Sequence, residues 1–382
     1  MYKVLIFGMT ENPGGVESFV MNYLRQTNDI EFDFLCNTLN NIAYEDEILQ
    51  MNSKVYHIPS LGKNPFRYFR EVKKFFKNHS CEYDAIWVNL NSLANIDYIK
   101  LAKKYGLKRI ILHSHNSQNM EVGIKGMVKS ILHHYNRKKV KLYATDFWAC
   151  SEEAGKFFYD DGDELLTKVK IIPNAIPVEK TAFSSTKRMC IRKKLGIEED
   201  TYVLGNVGRL QYQKNQEFMI EVFYSLEKRL KKSRLILVGD GPDKEKLVSK
   251  VTELHLEDKV IFAGIQRDIQ AYLSAFDLFF FPSRFEGLSI AALEAQANGV
   301  PILSSEGVVP NELKLLDNFE FYSLDNSIED WVKQLLFMKN SAVRYSSDKV
   351  LQSFIESGYE IREAANTLEK RFLNEREEIS NC

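Results

Sequence analysis

Glu286 and Glu294 stand eight positions apart in the stretch FFFPSRFEGLSIAALEAQANGVPIL, residues 279–303. Before them an apolar run, Leu278 to Phe281, stops at Pro282, and a polar loop covers 283–287. Leu288, Ile290, Ala291, Ala292, Leu293 and Ala295 then follow at helical spacing, Gly299 and Pro301 close the segment, and Ile302 and Leu303 open another apolar run. The pattern predicts strand, loop, helix and strand, a βαβ unit. Open α/β sheets bind ligands at the carboxyl ends of their strands, and the unpaired N–H groups at the start of the next helix favour an anion there. Gly287, Leu288 and Ser289 are the candidates for that helix start. A carboxylate beside a phosphate pocket must face hydroxyls or a cation, because phosphate repels it, and a hydroxyl-rich sugar meets that condition. Judged as a lone pair, the two glutamates read first as a solvated loop residue and an exposed helix residue, and it is the surrounding residues that overturn that reading.

Arg209 and Lys214, in GRLQYQKNQEFMIEVF, follow the strand pattern Tyr202–Val207 and bracket the loop into a helix. A planar guanidinium and a mobile ammonium can together neutralise a diphosphate; without a partner they are ordinary exposed cations. His113 and His115 lie where the strand Arg109–His113 runs out, in ILHSHNS, as structural hydrogen-bonders or as groups facing a ligand. Gly14 and Gly15 precede Val16, Phe19, Val20, Tyr23 and Leu24 at helical spacing. Glycine there makes a turn, and it also lets a backbone N–H approach a phosphate closely. The spacing from Gly8 is not that of a dinucleotide fingerprint. Asp161 and Asp163, in DDGD, have the form of a metal-binding D-x-D, but they sit in a polar turn without a second acidic cluster. No metal is expected.

These residues need a scaffold, and the rest of the chain supplies one. Strand patterns recur at Lys3–Gly8, Phe32–Cys36, Lys54–Ile58, Ala85–Asn89, Arg109–His113 and Phe147–Cys150, separated by helical patterns such as 66–77 and 95–105. After the polar run 184–188 the alternation resumes with Tyr202–Val207, Arg234–Val238 and Val260–Gly264. Strands alternating with helices imply parallel sheets covered on both faces.

The segment EGLSIAALE, with Pro282-Ser283 before it and an A-x-x-x-G-x-P run after it, resembles the E-x7-E signature of retaining glycosyltransferases of family 4, which have the GT-B fold. G-R-L-x-x-x-K at 208–214 and K-I-I-P-N-A-I-P at 170–177 are similar to further motifs of that family, so the resemblance covers nearly the whole chain; Ala175 replaces a family glycine and Pro177 stands near its usual aspartate. The implied fold is α/β: two Rossmann-like domains with parallel sheets facing an interdomain cleft. The expected domains are an acceptor-side domain at 1–183, a nucleotide-sugar domain at 184–355, and a helix at 356–382 crossing back to the first. The resemblance implies that Arg209, Lys214 and the helix start at Gly287, Leu288 and Ser289 hold the diphosphate. It assigns Glu286 to the donor sugar, Glu294 to ribose hydroxyls, and Gly264 and Ile265 to the nucleobase. His115, with His113 second, would face the donor sugar from the first domain, and Gly15 would lie beside the diphosphate and acceptor. A UDP-sugar epimerase of the same architecture would need further acids and bases; a non-catalytic sugar-nucleotide-binding protein would have no need to keep every charged group.

Composition bounds the setting. No stretch approaches 18 consecutive apolar residues and the N-terminus reads as strand and loop rather than signal peptide, so a cytoplasmic protein is expected. The five cysteines are scattered, without a C-x-x-C pair, and are expected as free thiols. Net charge is −1, yet residues 54–141 hold 18 Lys and Arg against 5 Asp and Glu, a surplus of 18 − 5 = +13. The surplus gathers in NPFRYFREVKKFFKNH, where Phe66, Phe69, Val72, Phe75 and Phe76 are expected to share one helix face, and in GIKGMVKSILHHYNRKKVKLY. No nucleic-acid motif accompanies the charge, and nucleic acid is not expected. An anionic membrane surface fits better, each nearby cation contributing on the order of 1 kcal/mol. The expected partners are a UDP-sugar donor, which is a co-substrate rather than a cofactor, and a polyprenyl-diphosphate-linked glycan acceptor. The setting would be exopolysaccharide or capsule synthesis, with the enzyme peripheral on the inner face of the plasma membrane.

Overall fold

The computed structural model describes residues 1–117, 123–159, 165–286, 289–308 and 310–380, with 374–380 described by backbone alone. The chain forms two compact units, Met1–Ala175 with Ile361–Cys382, and Ile176–Glu360. Both expected boundaries, after 183 and after 355, fall inside the second unit.

In the first unit the described strands are β1 (Tyr2–Phe7), β2 (Ile30–Cys36), β3 (Val55–His57), β4 (Ala85–Leu90), β5 (Arg109–Ser114), β6 (Asp146–Ala149) and β7 (Lys170–Ile171). They pair in parallel in the order β3-β2-β1-β4-β5-β6-β7. Side chains alternate across a strand, so a sheet covered on both faces needs apolar residues at odd and even positions alike. Val4 and Ile6 enter one core with Phe34, Trp87, Ile111 and Trp148. Leu5 and Phe7 enter the other with Leu35, Ile86, Val88 and Leu112. The first core is closed by the helix Ile361–Ser380 through Ile361, Ala364, Ala365, Leu368 and Phe372. Buried Arg109 holds that helix: its guanidinium donates to Phe372 O at 3.0 Å and Arg371 O at 3.1 Å, and pairs with Asp146 at 3.1 Å.

The second unit repeats the plan with β8 (Tyr202–Val207), β9 (Ser233–Val238), β10 (Val260–Gly264), β11 (Leu278–Phe281), β12 (Ile302–Ser305) and β13 (Phe319–Tyr322). Their order is β10-β9-β8-β11-β12-β13, again all parallel. Each sheet reverses its winding once, between β1 and β4 and between β8 and β11. Those reversals leave crevices at the carboxyl ends of the strands, where such sheets take ligands.

One helix departs from expectation. Pro65–His79 buries Tyr68, Val72, Phe75 and Phe76 and leaves Phe66 and Phe69 exposed. Tyr68 takes the inward place because its hydroxyl can accept a hydrogen bond from Asn95 Nδ2, at 2.8 Å, while its ring packs in the core.

Candidate active site

In the second unit the chain leaves β8 through Gly208 and Arg209, makes a single turn at Tyr212–Lys214, and enters the helix Gln216–Arg229. Asn215 at that junction has φ +58°, a left-handed conformation that asparagine adopts more readily than most residues. Its Nδ2 donates to Pro282 O at 3.0 Å, Gln213 Nε2 donates to Phe285 O at 3.0 Å, and Arg284 N donates to Gln213 O at 2.8 Å. Three bonds thus stitch the loop after β8 to the loop after β11, across the crevice where the sheet reverses.

This stitching brings Lys214 and Glu286 together. Lys214 Nζ donates to Glu286 Oε1 at 2.7 Å, with only 13% and 5% of the two side chains exposed, and the ammonium lies 5.0 Å from the centre of the Phe281 ring. The lysine stem covers Gly208, where an added Cβ would meet it at 3.3 Å. The turns after the neighbouring strands are drawn in as well: Gly239 N donates to Gly264 O at 2.9 Å, and Leu210 N donates to Asp240 O at 3.0 Å. Gly239, at φ +135°, must be glycine, because a Cβ there would stand 2.1 Å from Gly208 O.

Ser289 is buried and begins the helix Ile290–Ala297 without a side-chain cap, so the first N–H groups of that helix have no capping hydroxyl. Glu294, one turn along, is half-buried, and burial pushes its carboxyl up to about 7. No side-chain partner meets that carboxyl among the described residues. Arg209 is exposed and likewise forms no ion pair among the described residues, so the structure does not join it to Lys214. Gly264 has φ +68° with open space where a Cβ would stand, and the Ile265 side chain beside it is 79% exposed. Gly287 and Leu288 lie outside the described residues, as do Asp161 and Asp163. Among the described residues, no group of three or more His, Cys, Asp or Glu side chains is placed to hold a metal ion.

The first unit presents a different edge. His115, just past β5, is buried, and its Nε2 donates to Asn89 Oδ1 at 2.8 Å at the end of β4. His113 is fully enclosed behind it, with ring centres 4.2 Å apart. Trp87 Nε1 donates to His113 Nδ1 at 3.2 Å, which leaves the imidazole proton on Nε2, a buried atom that meets no partner among the described residues. Phe19 stands edge-on to both rings. Burial pushes His115 down to about 3 and His113 well below the usual imidazole range, so both are neutral. Gly15 opens the helix Gly15–Leu24 with nothing within 4 Å of an added Cβ.

Five contributors escape a reading of the sequence by residue type: Asn89, Phe281, Gln213, Asn215 and the close approach of Gly239 to Gly208. Only the polar pair Gln213 and Asn215 flanking Lys214 left a visible trace. Chemically, the second unit offers an ammonium, a carboxylate and a helix start without a side-chain cap at one crevice, which suits a ligand that is anionic at one end and rich in hydroxyls at the other.

Among solved structures, Anabaena HepE in complex with UDP and glucose superposes with a TM-score of 0.77, at 17% identity over 97% of this chain and 99% of that one. The molecule is therefore of the GT-B class, two Rossmann-like domains with parallel sheets. Residues 188–359, nearly the whole second unit, match the glycosyl transferases group 1 family. EpsF of Bacillus subtilis (strain 168) is 27% identical over 361 residues, covering 94% of this chain and 92% of EpsF. The Escherichia coli UDP-Gal:alpha-D-GlcNAc-diphosphoundecaprenol alpha-1,3-galactosyltransferase is 29% identical over 310 residues, covering 73% of this chain and 76% of that protein. The chain carries a glycosyl transferases group 1 domain and is a glycosyltransferase.

Proposed function

We propose that this glycosyltransferase moves a sugar from a UDP-sugar to a hydroxyl of a polyprenyl-diphosphate-linked glycan, with retention, in the synthesis of a cell-surface polysaccharide. The observation that carries the reading is the Lys214–Glu286 pair at the crevice between β8 and β11. Lys214, with Arg209 and the helix start at Ser289, neutralises the diphosphate as the bond to the sugar breaks, an electrostatic contribution of the kind that often dominates catalysis. The acceptor oxygen forms the new bond to the sugar, and its proton passes to the departing diphosphate. Glu286 orients the donor sugar and Glu294 accepts from ribose hydroxyls. Gly264 and Ile265 face the base. The acceptor is assigned to the first unit, where His115 donates or accepts as a neutral imidazole. The donor and lipid-linked acceptor in the name of the Escherichia coli relative support both ends of this assignment.

Because the cations supply the charge, no metal is required, and EDTA should leave the initial rate unchanged; loss of activity restored by Mg²⁺ or Mn²⁺ would assign Asp161 and Asp163 to a metal site. In this reading the enzyme meets its lipid-linked acceptor at the cytoplasmic face of the membrane, as a peripheral protein; no described helix is long and apolar enough to span a bilayer. The test is mass spectrometry of a polyprenyl-diphosphate-linked acceptor after incubation with a panel of UDP-sugars. Mass gain by one sugar supports the reading. A sugar converted without acceptor would instead identify an epimerase, and nucleotide binding without turnover a binding protein.

A further inference from the structure

The helix Gly123–Arg137 is inside out. The residues it buries are Gly126, His133 and Asn136, two of them polar, and both are bonded to the body of the first unit. His133 accepts from Leu93 N at 3.1 Å through Nδ1 and donates to Phe157 O at 2.9 Å through Nε2, while Asn136 Nδ2 donates to Leu93 O at 2.7 Å. The opposite face carries Ile124, Met127, Val128, Ile131, Leu132 and Tyr135, all exposed, with Ile124 at 85%, Met127 at 68% and Ile131 at 61%. At about 100° per residue these six fall within an arc of about 140°, centred opposite the buried residues. Rotating the helix to hide that stripe would break the bonds to Leu93 and Phe157. A stripe held outward by bonded polar residues is a surface built to be covered.

Charge selects what covers it. From Gly123 to Leu142 the sequence contains Lys125, Lys129, Arg137, Lys138, Lys139 and Lys141 and no Asp or Glu. A second copy laid face to face would set these cations against their own kind. The helix Pro65–His79, which meets the same Leu93–Asn95 loop through Tyr68, adds exposed Phe66, Phe69, Lys73, Lys74 and Lys77. We infer that Gly123–Arg137 lies in the interface of an anionic lipid leaflet, with Ile124, Met127, Val128, Ile131, Leu132 and Tyr135 inserted among the acyl chains and the surrounding lysines on the headgroups. This geometry is that of an interfacial amphipathic helix. It rests on the proposed action at a membrane and names the element that makes the contact.

The test uses vesicles without any glycan acceptor, so that attachment is read apart from catalysis. Wild-type protein should co-sediment with phosphatidylglycerol–phosphatidylcholine vesicles. M127S/I131S, which alters exposed side chains alone, should bind about ten-fold or more weakly with an unchanged Tm and UDP affinity. Ile131→Trp should shift its emission to the blue on those vesicles and be quenched by bromine on the lipid chains. Equal vesicle binding by wild type and M127S/I131S overturns the inference, as does Ile131→Trp emission that bromolipids leave untouched. A concentration-dependent dimer that M127S/I131S abolishes would give the stripe to a second copy and also overturn it. If vesicle binding holds while only water-soluble acceptors are turned over, the lipid surface stands and the lipid-linked acceptor falls.

Discussion

At the crevice between β8 and β11 an ammonium and a carboxylate meet at 2.7 Å over an aromatic ring, with a half-buried glutamate in the helix after β11 and an exposed arginine in the loop after β8. At the matching edge of β1, β4 and β5, two neutral imidazoles are boxed in by Phe19 and Trp87, and the polar contacts run to Asn89 and to a tryptophan N–H. Counted within each unit, the first six strands run in the same order, 3-2-1-4-5-6, and the first unit adds a seventh. The difference lies in the residues at the strand ends and the segments that follow them: topology fixes where a ligand sits, and those residues, Lys214 and Glu286 in one unit and Asn89, His113 and His115 in the other, decide what is handled there. In the proposed reaction the second unit would manage the diphosphate and the first would read neutral groups.

The strongest way to break the comparison is to remove charge from the charged side. Lys214→Ala should lower kcat/KM at least 30-fold, about 2 kcal/mol of transition-state stabilisation. It also leaves the Glu286 carboxylate buried without its ammonium, so Tm should fall, and adding Glu286→Gln should restore part of that stability without restoring activity. An unaltered kcat/KM in Lys214→Ala would remove the diphosphate from this crevice.

The neutral side can be sharpened by pH. His115 and His113 bind protons less readily folded than unfolded, so the unfolded chain takes up more protons below the ordinary value of 6.5. Stability of the first unit therefore declines as pH falls from 6.5 toward 3, by up to about 1.4 kcal/mol per pH unit for each ring. Trp87 and Trp148 both lie in that unit, so their fluorescence in a Trp331→Phe background follows its unfolding by denaturant. His115→Asn should flatten the acid limb. A limb of the same slope in that variant would show that His115 titrates normally and is not held neutral.

How much of this was legible in the sequence differs between the two edges for a physical reason. Strand cores are encoded locally: Tyr202–Val207 and Val260–Gly264 coincide with β8 and β10, and other patterns miss by a residue or two at their ends. The charged residues were legible because Arg, Lys and Glu in a loop stand out against apolar runs. Their pairing was not, because Lys214 and Glu286 are 72 positions apart and meet where the side-chain amides of Gln213 and Asn215 bond the carbonyls of Phe285 and Pro282. In the first unit, His115 was visible as a residue, but its neutrality comes from burial among side chains distant in sequence, Phe19 and Asn89 among them. The inverted helix Gly123–Arg137 shows the same limit: its apolar spacing looks like a buried face until His133 and Asn136 are found bonded to Leu93.

A smaller effect should distinguish the roles of the two glutamates. Burial lifts the Glu294 carboxyl to about 7, so it is largely protonated at pH 6 and largely ionised at pH 8. Hydroxyl donors bind the ionised form better, and binding accordingly strengthens as pH rises through that value. Uridine, which has no phosphate to titrate, should bind up to about ten-fold more tightly at pH 8 than at pH 6. Glu294→Gln should abolish the dependence, measured by calorimetry. A pH-independent wild type would take the ribose away from Glu294.

The smallest expected change is also the cleanest probe of the neutral side. Gly15 is the first residue of its helix, its backbone is outside the left-handed region, and an added Cβ meets nothing within 4 Å. The fold does not need glycine there; alanine, the better helix former by about 0.5–1 kcal/mol, should leave Tm unchanged or slightly higher. Gly8 supplies the control, since its φ of +124° and the 2.1 Å approach of an added Cβ to Asn89 O make Gly8→Ala destabilising without any ligand. If Gly15 is kept open for a ligand whose oxygen approaches the backbone, Gly15→Ala should raise KM several-fold at constant Tm, because the methyl group occupies space reserved for that oxygen. An unchanged KM would mean that Gly15 only makes a turn, and that the neutral edge contacts its ligand through side chains such as His115 alone.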